Sequence, residues 1–198
     1  MTKIAMVTGS VRPGRRSLEV AAWVKSLADA RGDADFEILD LADFDLPVFA
    51  EPASPSVAPP ESEAGQRWSR AVEGYDGYVF VVPEYNHSVT GALKNAIDYL
   101  SPELQDKAAA FVSYGAVGGA RAVEHLRGIL SQMQMAHVRA TVSLSLFHDF
   151  ENFSELAPTG PVVQSVGPML DQLLRWTRAM AAVRGGEFDA EEGSEAAA

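Results

Sequence analysis

The chain contains no cysteine. Disulfides, thiolate nucleophiles, cysteine-zinc sites and cysteine-ligated iron–sulfur clusters are therefore excluded, while nothing follows about compartment. Base is scarce as well: 16 Lys and Arg stand against 27 Asp and Glu, a formal net charge of −11. Sequence-independent nucleic-acid binding needs clustered cations against phosphate, so no nucleic-acid partner is expected. No apolar run approaches the ~20 residues of a membrane span. The opening Met1-Thr2-Lys3-Ile4-Ala5-Met6-Val7-Thr8-Gly9 is too short an apolar stretch for a signal peptide and runs straight into a loop. A soluble cytoplasmic protein without a membrane partner is expected. His87, His125, His137 and His148 lack metal-ligand spacing, so no metal is expected. Ser10, Ser88 and Ser113 have no Gly-x-Ser-x-Gly setting for a hydrolase triad.

What is present suits one domain with a sizeable core: 198 residues, 47% of them hydrophobic. Short β-branched or apolar runs over 4–8, 36–41, 77–82, 108–114 and within 137–146 read as strands. The third lacks alternation, as expected of a strand covered on both faces. Helical patterns separate them. One begins at Ser17, a candidate cap, with Leu18, Ala21, Ala22, Val24 and Leu27 on its apolar face. Others cover 63–74 and 91–100, and a further one opens at Gly118-Gly119. Val166, Met169, Leu170, Leu173, Leu174, Thr177 and Met180 mark a last amphipathic helix. Five alternations predict a doubly wound α/β fold: a five-stranded parallel sheet with helices on both faces. The segment 46–60, rich in Pro, Ala and Ser, fits a long surface loop: a lid, an oligomer arm or a merely mobile stretch. The domain is expected to span 1–184, and 185–198 to be an acidic disordered tail.

In such a sheet the loops after strands one, three and four converge on one rim, where ligands bind. Here those three loops are polar and glycine-bearing. The first, Gly9-Ser10-Val11-Arg12-Pro13-Gly14-Arg15-Arg16-Ser17, offers hydroxyls, guanidiniums and N–H groups at a helix N-terminus. We read it as an anion site in preference to a solvated loop with a serine cap. Three crowded arginines call for counter-charge. The loop lacks both the Walker A ending and the Gly-x-Gly-x-x-Gly fingerprint, which favours a monophosphate. The second, Pro83-Glu84-Tyr85-Asn86-His87-Ser88, follows directly on an apolar strand. Tyr85 could pack on a planar ring and Asn86 bond its edge; alternatively Tyr85 is an ordinary half-buried aromatic and Asn86 a turn residue. The third, Ser113-Tyr114-Gly115-Ala116-Val117-Gly118-Gly119, has glycines that let backbone approach a ligand.

These residues, in this order, resemble the NADPH-dependent FMN reductases of flavodoxin-like fold, the group that includes quinone, azo-compound and chromate reductases. The likeness rests on Gly9-Ser10-x-Arg12 with Ser17, on Pro83-Glu84-Tyr85-Asn86 leading to Gly91-Ala92-Leu93-Lys94-Asn95-Ala96-Ile97-Asp98, and on Ser113-Tyr114-Gly115 with Gly118-Gly119. It covers roughly residues 3–183. It implies FMN on the rim, with Ser10, Arg12 and Ser17 at the phosphate and Arg15 and Arg16 in the same loop. Pro83, Glu84, Tyr85 and Asn86 would surround the isoalloxazine ring, with Ser113, Tyr114, Gly115, Gly118 and Gly119 on its other side. NADPH or NADH would give a hydride to flavin N5 and leave. A quinone, azo compound, metal oxyanion or free flavin would then take the electrons, with no catalytic side chain. A homodimer or homotetramer is implied too. The chain departs from many members in having Val89-Thr90 where they carry an aromatic or aliphatic residue and then proline. A flavodoxin-like electron carrier, a flavin-free regulatory protein and a nucleotide hydrolase on the same fold are the rival readings.

Overall fold

The computed structural model describes residues 1–189. Strands β1 (Lys3–Thr8), β2 (Asp35–Asp40), β3 (Gly77–Pro83), β4 (Ala108–Gly115) and β5 (Ala136–Ser145) form one parallel sheet in the order β2-β1-β3-β4-β5. Every residue of β3 and β4 is buried, which explains their unbroken apolar runs. Successive residues point to opposite faces. On one face Ile4, Met6, Val79, Val81 and Val112 pack against helices α1 (Ser17–Asp29) and α5 (Gly160–Arg184). On the other, Ala5, Val7, Tyr78, Phe80 and Phe111 meet α2 (Glu63–Glu73), α3 (Gly91–Asp98) and α4 (Ala120–Gln132). The doubly wound fold expected from the alternation is thus present. Its strand order reverses beside β1, so the loops after β1 and β3 part there and open a crevice.

Two features escaped the pattern. A single 3-10 turn, Leu41–Asp43, follows β2, and a hairpin of β6 (Phe150–Glu151) and β7 (Glu155–Leu156) follows β5. The chain between Asp43 and Ser62 is tied down. Asn95 of α3 accepts from Phe49 N at 2.8 Å and donates to the Pro47 carbonyl at 2.7 Å. Glu51 accepts from Glu61 N, and Phe44 and Phe49 pack edge-on against Trp68 and Tyr99. Of the three readings of this segment, a merely mobile stretch is the one these bonds disfavour. Of the acidic tail, Gly185 to Asp189 continues in turns after α5, and the rest lies outside the described residues. Among the described residues no helix is long and apolar enough to cross a membrane.

The β4–α4 connection depends on Gly119. Its φ is +76°, and a Cβ there would stand 2.7 Å from Ser113 Cβ and 2.9 Å from Tyr114 N. Left-handed strain and overpacking together predict that Gly119→Ala costs about 2–4 kcal/mol. Thermal unfolding should show a Tm lower by roughly 5–15 °C; an unchanged Tm would contradict this account of the turn.

Candidate functional site

The first loop is pressed onto the sheet at its start. Gly9 N donates to the Val81 carbonyl at 2.8 Å, and a Cβ on Gly9 would sit 2.6 Å from that oxygen. Only glycine permits this approach. Ser10 is buried and its Oγ accepts from Arg12 N at 3.3 Å. The Arg15 guanidinium pairs with Asp40 at the end of β2. The other oxygen of Asp40 accepts from Thr8 Oγ1 at 2.7 Å and from Ala42 N at 3.2 Å. Burial works against charge on Asp40, but Arg15, Thr8 and the Ala42 N–H outweigh it and hold the carboxyl below its ordinary range.

Two expectations for this loop need correction. Ser17 does not cap α1: Arg16 already has near-helical φ and ψ, so Ser17 is the first helical residue and makes no capping bond. Nor do all three arginines lack counter-charge. Arg15 has Asp40, and Arg16 faces Glu19 at 3.6 Å, an exposed pair of small worth. Among the described residues only Arg12 of the three has no ion-pair partner. Two buried polar atoms are left over: Arg15 Nε has no hydrogen-bond partner, and Ser17 Oγ has none within bonding distance, its polar neighbour being the Tyr114 phenol, which lies close enough to be influenced by it. Buried donors are rarely left unmet, and here both lie beside the N-terminus of α1, where unpaired N–H groups favour an anion.

The second loop is a tight turn. Tyr85 and Ser88 exchange backbone bonds of 3.0 and 2.9 Å around Asn86 and His87, both at positive φ. Asn is favoured at such positions, so Asn86 shapes the turn whatever else it does. Glu84 is locked to α4: its carboxylate pairs with the Arg121 guanidinium and accepts from Arg121 N at 3.1 Å. Burial opposes ionisation of Glu84, but Arg121 prevails and holds its carboxyl low. His87 Nε2 lies 2.8 Å from the same guanidinium. Thr90, at the departure from the family pattern, caps α3 by accepting from Leu93 N at 3.0 Å and donates to the Gly9 carbonyl at 2.5 Å. It therefore joins the first and second loops.

In the third loop Ser113 Oγ donates to the Gly118 carbonyl at 2.6 Å, so Ser113, Gly118 and Gly119 shape the turn. Tyr114 is buried, which pushes its phenol up; Tyr85 adds to this, while Ser17 and Arg12 act the other way.

The loops enclose an open cavity of about 250 Å³. It is lined by Arg12, Gly14, Arg15, Arg16, Pro83, Glu84, Tyr85, Tyr114 and Gly115, with Leu146 and Phe153. Eight of the sequence-derived residues thus meet in one place. Ser10, Ser17, Asn86, Ser113, Gly118 and Gly119 do not line it; they belong to the loops that form its walls. Leu146 and Phe153 were not foreseen. The aromatic-rich run Leu146-Phe147-His148-Asp149-Phe150 was the available signal. A larger cleft of about 350 Å³ lies beside Val11, Asp45, Leu46 and Asn95. Its one charged side chain is a carboxylate, so the smaller, cation-lined cavity is the one suited to a phosphate. Among the described residues no cluster could hold a metal.

A parallel α/β sheet with a cation-lined crevice at its switch point defines a flavodoxin-like ligand-binding protein. Comparison narrows the class. Residues 2–149 match the model of the NADPH-dependent FMN reductase family, and the chain belongs to that family. Membership makes it an oxidoreductase that works with FMN and NAD(P)H. It is 41% identical over 153 residues to the NAD(P)H-dependent FMN reductase ntnL of a Nectria species, covering 74% of this chain and 76% of that one. It is 32% identical over 192 residues to a quinone reductase of Pseudomonas putida, covering 91% and 97%. Its fold is similar to that of the Paracoccus denitrificans flavoenzyme FerB, an NAD(P)H:(acceptor) oxidoreductase, with a TM-score of 0.72 at 21% identity over 91% of this chain and 99% of that one.

Asp40 yields a pH prediction. Its folded pKa is depressed, so its stabilisation is complete above the unfolded value of about 3.9 and is lost as pH falls through the folded value. Asp40→Asn should cost roughly 1–3 kcal/mol at pH 7. The gap from the parent protein should narrow as denaturant unfolding is repeated from pH 5 toward pH 3. A gap of constant size would mean that the Asp40 charge is not what holds Arg15.

Proposed function

We propose that the rim cavity holds FMN and that the protein is an NAD(P)H-dependent reductase of quinones and related small acceptors, working by a ping-pong scheme. The observation that carries this reading is the pair of unpartnered buried atoms, Arg15 Nε and Ser17 Oγ, beside the α1 N-terminus and an unpaired Arg12. That donor set fits a phosphate monoester: an anion in the cavity would meet Arg12 and Arg15, which line it, at the helix N-terminus where Ser17 stands just behind the wall. FMN held there would supply the redox chemistry, carrying reducing equivalents from NAD(P)H to the acceptor.

The chain's part is to bind, orient and screen. Asp40 fixes Arg15 so that its guanidinium need not reorganise when a phosphate arrives. Glu84 and Arg121 lock the second loop to α4, which holds Tyr85 beside the cavity. Tyr85 offers a ring face for stacking against a planar ligand. Among the described residues the N–H groups of Asn86, His87, Ala116 and Val117, in the turns flanking the cavity, donate to no protein acceptor. The Glu84 N–H, in contrast, is engaged by the Tyr114 carbonyl at 2.9 Å. Glu84 stays ionised in its ion pair and is not a proton donor, which suits a scheme without side-chain acid–base steps. Arg16, solvent-facing and held only by Glu19, is the base offered to the 2′-phosphate of NADPH.

The same reading makes the protein a cytoplasmic homodimer or homotetramer with no nucleic-acid or membrane partner. Residues 84–97 and the 46–60 segment, where Val48 and Val57 stand exposed, are the interface surfaces it uses. The domain is residues 1–184, and the acidic tail takes no part in catalysis.

Removing one charge-assisted contact is worth roughly 10–100-fold in affinity. Titration of Arg12→Ala with FMN should show a loss of that size, and wild-type affinity would remove Arg12 from the site. Tyr85→Ala should alter the flavin absorbance or acceptor turnover; parent values for both would place the ring elsewhere. Deletion of residues 185–198 should leave FMN binding and turnover intact, and an inactive truncation would overturn the assignment of the tail.

A further inference from the structure

An aromatic pair links the β5–β6 connection, through Phe147, to the tip of the β6–β7 hairpin, where Phe153 lines the cavity. Phe147 is 61% exposed and Phe153 64%, and their rings meet edge to face at 5.5 Å. Two adjoining rings left to water are unfavourable, and contiguous exposed apolar surface marks a binding site more often than chance. Asn152 and Phe153, at φ of +50° and +56°, are the central residues of the hairpin turn, which Ser154 N closes by donating to the Glu151 carbonyl at 2.9 Å, so the turn itself sets Phe153 at the tip.

The hairpin that carries Phe153 is anchored at its base. Asp149 is buried at the hairpin base and accepts from Ser145 N at 2.8 Å and from Thr159 N and Oγ1 at 3.1 and 2.9 Å. Next to it Phe150 is buried against Tyr114, with ring centroids 6.1 Å apart. The base is thus fixed to β5, to α5 and to a wall of the cavity. The tip projects from that base, and Phe153 lines the cavity shared with Tyr85. The family match ends at residue 149, so Phe153 lies past the matched region.

We propose that Phe153, braced by Phe147, is a specificity-determining residue at the cavity mouth that favours planar aromatic acceptors, such as naphthoquinones, over small inorganic ones. This rests on the reading of the cavity as a reductase site. A flat bicyclic acceptor can cover an exposed phenyl ring and gain both buried area and an aromatic contact. A hydrated inorganic oxidant gains neither. The pair therefore acts on the relative rates of two acceptor classes and supplies no step of the chemistry.

The test uses full-length, FMN-loaded protein with NAD(P)H and two acceptors, a 1,4-naphthoquinone and ferricyanide. The readout is the ratio of their kcat/KM values. In Phe153→Ala that ratio should fall roughly three- to tenfold, through KM for the quinone. Phe147→Ala should lower it in the same direction, and Phe153→Tyr should restore it. An unchanged ratio in both alanine variants would overturn the proposal. An FMN Kd raised as much as the ratio falls would also overturn it, by making the ring a cofactor wall. A change in sedimentation mass accompanying the fall would overturn it in favour of a subunit contact. If the parent protein binds no FMN or reduces neither acceptor, the functional reading itself fails, and the proposal with it.

Discussion

The ion pair between Arg15 and Asp40 organises the rim, because it joins three segments that the sheet alone would leave apart. Asp40 ends β2, Thr8 ends β1 and donates to it, and Arg15 belongs to the loop that leads into α1. With one guanidinium nitrogen bound there, Arg15 Nε stays buried and unpartnered, next to an equally unpartnered Ser17 Oγ. A buried polar group without a partner is costly, so the loop keeps a defect that an anion can relieve. The pair that orders the loop is thus the same contact that leaves the Arg15 Nε donor open.

The other two loops are held by their own side chains. Glu84 binds Arg121 across to α4, Thr90 ties α3 back to Gly9, and Ser113 closes onto Gly118. Each bond fixes a loop before any ligand arrives, which limits the entropy lost on binding. Glu84 illustrates the consequence for chemistry. A carboxylate beside the rim cavity invites an acid–base role, yet its ion pair with Arg121 keeps it charged and occupied.

Much of the architecture was legible in the sequence because it depends on local pattern. The unbroken apolar run of β3 announces a strand covered on both faces, and the helices between the strands show as separate helical patterns. The fifth strand, expected within 137–146, runs from Ala136 to Ser145. Eight expected residues share the cavity because strand order sends the three loops to one rim. What stayed hidden depends on contacts between distant residues. Nothing local tells that Asp40 answers Arg15, or that Asn95 pins the segment at Pro47 and Phe49. Ser17 read as a cap because Ser before an apolar run usually is one; the near-helical backbone of Arg16 moved the helix start by one residue. The β6–β7 hairpin has strands of two residues, too short for any period, and its anchor Asp149 looks in the sequence like any solvated carboxylate.

The central claim is that the cavity binds FMN and that NAD(P)H reduces it there. An anaerobic absorbance spectrum of the purified protein with FMN, before and after stoichiometric NADPH and then NADH, tests it most directly. The account predicts a perturbed flavin spectrum on binding and rapid loss of the long-wavelength band on adding one of the two donors. Binding without bleaching by either donor would contradict the reductase and favour an electron carrier, and a protein that leaves the FMN spectrum and affinity untouched would contradict the site itself.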